Sequence, residues 1–154
     1  MAHILDQIDR RILRELMLDS SQSQRALAEK VGLSQNATWR RIRHMEELGV
    51  IEGQVARVNA EAVGLDLVVF AMIRTRQHSA DWLRDFRAQV LALPEVVGFY
   101  RIGGDYDYLL KIVTENMQTY DQVYQRLIGK LTLDTVTSYF AMEAIADNRP
   151  LPIR

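Results

Sequence analysis

The spacing of apolar positions changes along the chain. Leu5, Ile8, Ile12, Leu13 and Leu16 recur at helical intervals, and Asp6 is a short acceptor suited to capping that helix. Ser23, followed by Ala26, Leu27 and Lys30, predicts a second helix. Gly32 then offers the positive φ of a tight turn between helices. Ser34 caps a third predicted helix that runs to about Leu48 and is ended by Gly49. From Val50 to Asn59 a weak alternation with β-branched residues predicts a strand, and Ala60 to Gly64 reads as a brief connection.

Beyond Gly64 the pattern shifts to alternating strands and helices. Leu65–Thr75 reads as a strand. Ser79 caps a helix through Leu93 with Trp82, Leu83, Phe86 and Val90 on one side, and Pro94 stops it. Val96–Ile102 and Tyr106–Val113 read as strands joined through Gly103-Gly104-Asp105. A helix over Asn116–Ile128 and a last strand over Val136–Ile145 complete the order βαββαβ. The expected fold is α+β: an N-terminal helix-turn-helix domain (1–50), a linker strand (51–64) and a C-terminal ferredoxin-like domain (65–154).

Both faces of the first strand are apolar. Leu67, Val69, Ala71 and Ile73 point one way, and Val68, Phe70 and Met72 the other. Tyr139, Ala141 and Ile145 similarly oppose Phe140 and Met142. Two helices in this topology cover one face of the sheet. The second face is expected to meet another copy in a two-fold homodimer, the alternative being that the helical domain folds back over it.

Composition narrows the chemistry. The 154 residues include no cysteine, which excludes a disulfide framework, a thiolate metal site and a cysteine nucleophile. The apolar run Leu67–Ile73 is far shorter than the roughly 20 residues of a membrane span, and the start lacks a basic, apolar leader. A cytoplasmic protein without membrane contact is expected. No phosphate-loop, nucleophile-elbow or zinc-protease motif occurs, and His3, His44 and His78 are scattered. Asp105 and Asp107 lack a second polar cluster to orient a substrate. The expectation is therefore no enzyme, no metal and no cofactor.

A net charge of −1 argues against a globally basic surface, but Gln35 to His44 holds Arg40, Arg41 and Arg43 with no acid. On a helical wheel Ala37, Thr38, Ile42, Met45 and Leu48 face the first two helices. Asn36, Arg40, Arg43 and Glu47 face away, flanked by Gln35 and Trp39. Arg41 falls in the packed arc, so it either snorkels out or pairs with a carboxylate. Amide and guanidinium groups on one exposed face read base edges and bind phosphates in a major groove. The expected partner is double-stranded DNA, met by Ser34, Gln35, Asn36, Thr38, Trp39, Arg40, Arg41 and Arg43, with Arg41 the weaker candidate. Two blander readings stand beside it. The arginines can be solvated or paired with Glu46 or Glu47, and three-helix units also dock proteins. Trp39 either packs half-buried or touches a sugar or thymine methyl.

Gly103-Gly104-Asp105-Tyr106-Asp107 is the second candidate. Paired glycines expose backbone N–H groups able to hold a carboxylate, and Asp107 can accept from an ammonium. An ordinary hairpin turn has the same composition.

The stretches Leu5-Asp6-x-x-Asp9-x-x-Ile12-Leu13, Leu27-Ala28-x-x-Val31-Gly32-Leu33-Ser34, Arg41-Ile42, Leu48-Gly49-Val50-Ile51 and Gly104-Asp105-Tyr106-Asp107 stand in the order and spacing of one family. Over nearly its full length the chain resembles the Lrp/AsnC, or feast/famine, regulators. The resemblance implies a winged-type helix-turn-helix domain, a ferredoxin-like effector domain, and homodimers assembling further, often to octamers, with amino-acid effectors. It implies a recognition helix at Ser34–Leu48. It also implies an interdimer effector site at Gly103, Gly104, Asp105, Tyr106 and Asp107, completed by Thr137 and Ser138 of a neighbouring copy. Trp39-Arg40-Arg41 and Val136–Glu143 resemble a subgroup linked to cysteine-responsive control of cysteine breakdown. The expected function is a DNA-binding transcriptional regulator responding to an amino acid. The alternative is an amino-acid-binding assembly module that regulates a protein partner.

Overall fold

The computed structural model describes residues 5–154. The reading of the first residues as leaderless, and of His3 as no ligand, lies outside them. The chain forms two compact units. One runs through Arg57 and regains Ala146–Arg154, and the other is Val58–Ile145.

The first unit holds helices α1 (Gln7–Leu18), α2 (Gln24–Val31) and α3 (Gln35–Glu47). Each expected cap forms. Asp6 accepts from the Asp9 amide in a reciprocal capping box, Ser23 from Ala26, and Ser34 from Ala37. Gly32 ends α2 at φ 74°, and its N–H donates to the carbonyls of Ala28 and Glu29. Ile12, Leu13, Leu27, Val31 and Met45 form the buried core, with Ile42, Val50, Ile51 and Ile153 packed at its edge.

Two expectations change here. Residues 51–58 carry no strand. A strand needs a neighbour for its backbone N–H and C=O groups, and none among the described residues pairs with this stretch. Residues 146–154, expected within the second domain, belong to the helical unit. Ile153 packs on its core, and Arg10 Nη1 donates to the Arg154 carbonyl at 2.6 Å.

The second unit contains β1 (Leu67–Arg74), α4 (Ala80–Leu91), β2 (Val96–Arg101), β3 (Tyr108–Thr114), α5 (Met117–Ile128) and β4 (Thr135–Phe140). The sheet order is β2-β3-β1-β4, with every pair antiparallel. This is the βαββαβ sandwich read from the sequence. The last strand stops at Phe140, five residues short of its expected end. Val69, Ala71, Ile73, Leu110 and Ile112 face α4 and α5 and are fully buried with Phe86, Val90 and Val123. Phe86 stacks on Trp82 at 4.9 Å and meets Phe99 edge-on at 5.6 Å. The opposite face presents Val68, Phe70 and Met72 beside Val113, Lys111 and Leu109. None of these six is buried, and Tyr100 and Tyr139 on the same side are more than half exposed.

Candidate nucleic-acid interface and effector turn

The face of α3 follows from its wheel. Gln35, Asn36, Trp39, Arg40, Arg43 and Glu47 are exposed, while Thr38 and Met45 are buried. Thr38, expected near the groove, is only 1% exposed, and its hydroxyl donates to the Ser34 carbonyl at 3.0 Å. It is therefore a packing residue of the helix start and cannot reach a base. Ser34 itself is exposed, with its hydroxyl oxygen accepting the cap bond from Ala37 at 3.2 Å.

Trp39 is 48% exposed rather than packed away. The Arg43 guanidinium lies 5.8 Å from its ring centroid, and Arg43 Nη1 is 3.2 Å from Glu46 Oε2. Such exposed contacts are worth about 0.5–1 kcal/mol and hold Arg43 only loosely. Arg40 has no ion-pair or hydrogen-bond partner among the described residues. Arg41 differs from both neighbours. Its Nη1 lies 2.7 Å from Asp6 Oδ2 and 2.7 Å from Asp9 Oδ1. Hydrogen bonds to Asp9 and Asp6 hold its guanidinium above its ordinary pKa. The expected DNA contacts thus separate into an open set and a bound one.

In the second unit the glycine turn sits where β2 passes to β3. Ile102 N–H donates to the Asp107 carbonyl at 2.9 Å, and Asp107 N–H donates to the Ile73 carbonyl at 2.8 Å. Gly104 has φ 120°, a value that side chains rarely adopt. A Cβ at Gly103 or Gly104 would meet nothing within 4 Å, and Gly103, Gly104 and Asp105 are all exposed. Space is open there for a ligand to approach the backbone. Asp107 Oδ2 accepts from the Thr75 amide at 2.8 Å, so one carboxylate oxygen ties the turn to the end of β1.

The structure adds to the turn two residues that the sequence did not assign to it, Arg74 and Tyr139. Arg74 Nε donates to the Asp105 carbonyl at 2.6 Å, and its guanidinium lies 5.1 Å from the Tyr106 ring centroid. The Tyr106 hydroxyl is 3.2 Å from Thr137 Oγ1. The neighbouring Tyr106 hydroxyl also raises the Tyr139 phenol above its ordinary pKa. Thr137 is thus brought to the turn within one chain. Ser138 is not, because successive strand residues point to opposite faces. Its hydroxyl bonds Tyr120 of α5 on the helix side. Arg74 and Tyr139 could have been found only from the strand register, which sets Arg74 across from Thr135 and Tyr139 across from Phe70.

Among the described residues no helix is long and apolar enough to cross a membrane. A profile described as Lrp/AsnC ligand binding domain matches residues 68–151, and one described as winged helix-turn-helix DNA-binding matches residues 5–52. The chain is 42% identical to the DNA-binding transcriptional activator DecR of Escherichia coli K12, over 97% of this chain and 99% of that one. It is 41% identical to the glutamate uptake regulatory protein of Zymomonas mobilis, over 99% and 93%. An AsnC family transcriptional regulator from Agrobacterium tumefaciens superposes with TM-score 0.92 at 47% identity, covering 96% and 97% of the two chains. A transcriptional regulator from Neisseria meningitidis, solved as a complex with L-methionine, gives TM-score 0.91 at 29% identity and 97% of each chain.

Proposed function

The chain belongs to the Lrp/AsnC family of DNA-binding transcriptional regulators, and on that premise we propose how this member reads DNA and what controls it. Ser34, Gln35, Asn36, Trp39, Arg40 and Arg43 form the surface that enters the major groove. Arg40 and Arg43 supply phosphate or guanine contacts, and the two amides read base edges. The effector is a free amino acid. Its carboxylate meets the bare amides of Gly103 and Gly104, and its ammonium meets the Asp107 carboxyl beside Tyr106 and Thr137.

One observation carries the effector reading. Gly103, Gly104 and Asp105 are exposed with open space where side chains would be, yet Asp107, Arg74 and Tyr106 hold the turn in one shape. A surface that is ordered but unenclosed suits a ligand closed in by a second dimer. Effector binding then shifts the balance between assemblies, and with it the spacing of DNA half-sites, because the ligand favours the assembly that completes its site. The regulator acts in the cytoplasm as a homodimer that assembles further, to octamers by family analogy. Cysteine is among the effectors to be tested first, on the strength of Trp39-Arg40-Arg41 and the last-strand segment.

A thermal-shift panel of the free amino acids on wild type and Asp107→Asn tests this. A ligand at 100 times its dissociation constant adds about 2.7 kcal/mol to native stability. The expected result is a rise in midpoint with one amino acid or a small group, lost in the variant. A rise of equal size in both proteins removes the turn as the site. No rise with any amino acid removes the effector class.

A further inference from the structure

Arg41 is the cation of the recognition helix that the open DNA-facing surface leaves unexplained. Asp6 Oδ1 accepts from the Asp9 amide at 2.8 Å, and Asp9 Oδ2 accepts from the Asp6 amide at 3.1 Å. The two remaining oxygens, Asp6 Oδ2 and Asp9 Oδ1, both accept from Arg41 Nη1. Every carboxylate oxygen of the capping box therefore has a partner. The start of α1 and the middle of α3 are tied at one nitrogen, across 32 and 35 residues of sequence. Two carboxylates around one guanidinium leave a local excess of negative charge. A phosphate arriving there would have to break two charge-assisted bonds and then face both acids.

We propose that Arg41 is a positioning residue for DNA recognition, a clasp that fixes the pitch of α3 against α1, and not a contact to the nucleic acid. This rests on the DNA-binding reading of α3. Base readout tolerates errors of about 0.5 Å and 10–20° in the reading groups. A helix of 13 residues held only by apolar packing can roll, because such contacts are non-directional. A charge-assisted bond at the middle of its packed side stops that roll. Arg40, and Arg43 with only its exposed contacts to Glu46 and the Trp39 ring, flank the clasp and reach outward.

The test uses the full chain and two duplexes. One is enriched from a random-sequence pool by the wild type, and the other is a scrambled sequence of equal length. Arg41→Gln should weaken the enriched duplex tenfold or more, with the scrambled duplex and its salt dependence unchanged. Arg40→Ala should weaken both, with the logarithmic salt slope shallower by about 0.9, the value of one phosphate contact. Asp9→Asn, milder because Asp6 remains, should lower the ratio of enriched to scrambled affinity, although it removes a negative charge. An Arg41→Gln slope as shallow as that of Arg40→Ala overturns the clasp, as does an Asp9→Asn ratio that rises. A second readout needs no DNA. The Arg41→Gln and Asp9→Asn shifts in thermal midpoint should be non-additive in the double variant, and additive shifts overturn the clasp. A wild type that enriches no duplex overturns the DNA-binding reading itself, and with it the clasp's role in recognition, whatever the midpoints show.

Discussion

At the scale of single residues, the Asp6–Asp9–Arg41 cluster ties stability to pH. The Asp9 amide, then Arg41, holds the Asp6 carboxyl below its ordinary value of 3.8. A depressed acid stabilises the fold while it is charged. Its contribution is complete above pH 3.8 and is lost as pH falls through the lower folded value. Asp19, bonded to the Ser21 hydroxyl and amide, shifts the same way in the same unit. In the sheet unit, burial is the largest influence on Glu95 and works to raise it, but the Arg126 hydrogen bond, a backbone hydrogen bond and the Arg126 charge together leave a net lowering. Acid titration followed by Trp39 fluorescence in a Trp82→Phe background, which silences the sheet unit, should therefore report a loosening of the helical unit below about pH 3.8. Asp6→Asn keeps a capping acceptor but removes the titrating charge, and should flatten that transition. An unaltered acid limb in the variant would exclude Asp6 as its source.

At the scale of elements, the helices were legible because caps and periodicity agree. Asp6, Ser23, Ser34 and Ser79 each cap the helix that the apolar spacing predicts. The core of the sheet unit was equally legible, since alternate positions of β1 and β3 are buried with Phe86 and Val90. Phe86→Ala should cost about 3–5 kcal/mol in chemical denaturation, because Trp82, Phe99 and Tyr108 all surround the ring. A cost below about 1 kcal/mol would mean that these rings collapse into the space. What was illegible depends on pairing between distant segments. Register alone brings Arg74 beside the turn and decides that Thr137, not Ser138, shares its face. The expected linker strand failed for a related reason. Alternation marks a segment able to be a strand, but a partner makes it one, and residues 51–58 have none among the described residues. Thr38 was ambiguous because its wheel position and its polar chemistry pointed in different directions; packing decided.

At the scale of the whole molecule, the open face of the sheet predicts association. Phe70 and Met72 sit mid-face beside Lys111 and Leu109, with none of them buried. Phe70→Glu would place an acid in the centre of a two-fold contact, twice per dimer. Sedimentation should give dimers or larger for wild type and monomers for the variant, with helix content retained. An unchanged assembly would move the contact off this face. The path of the chain has a separate consequence. The helical unit is left at Arg57 and re-entered at Ala146, so the sheet unit is an insertion within it. On a ribosome adding roughly 5–20 residues per second, the three helices emerge several seconds before the segment that completes their core. Ile153 is among the final residues to reach that core. A chain truncated after β4 would keep every element of the sheet unit but leave the DNA-reading unit lacking its last strap, so the unit made first is the one completed last.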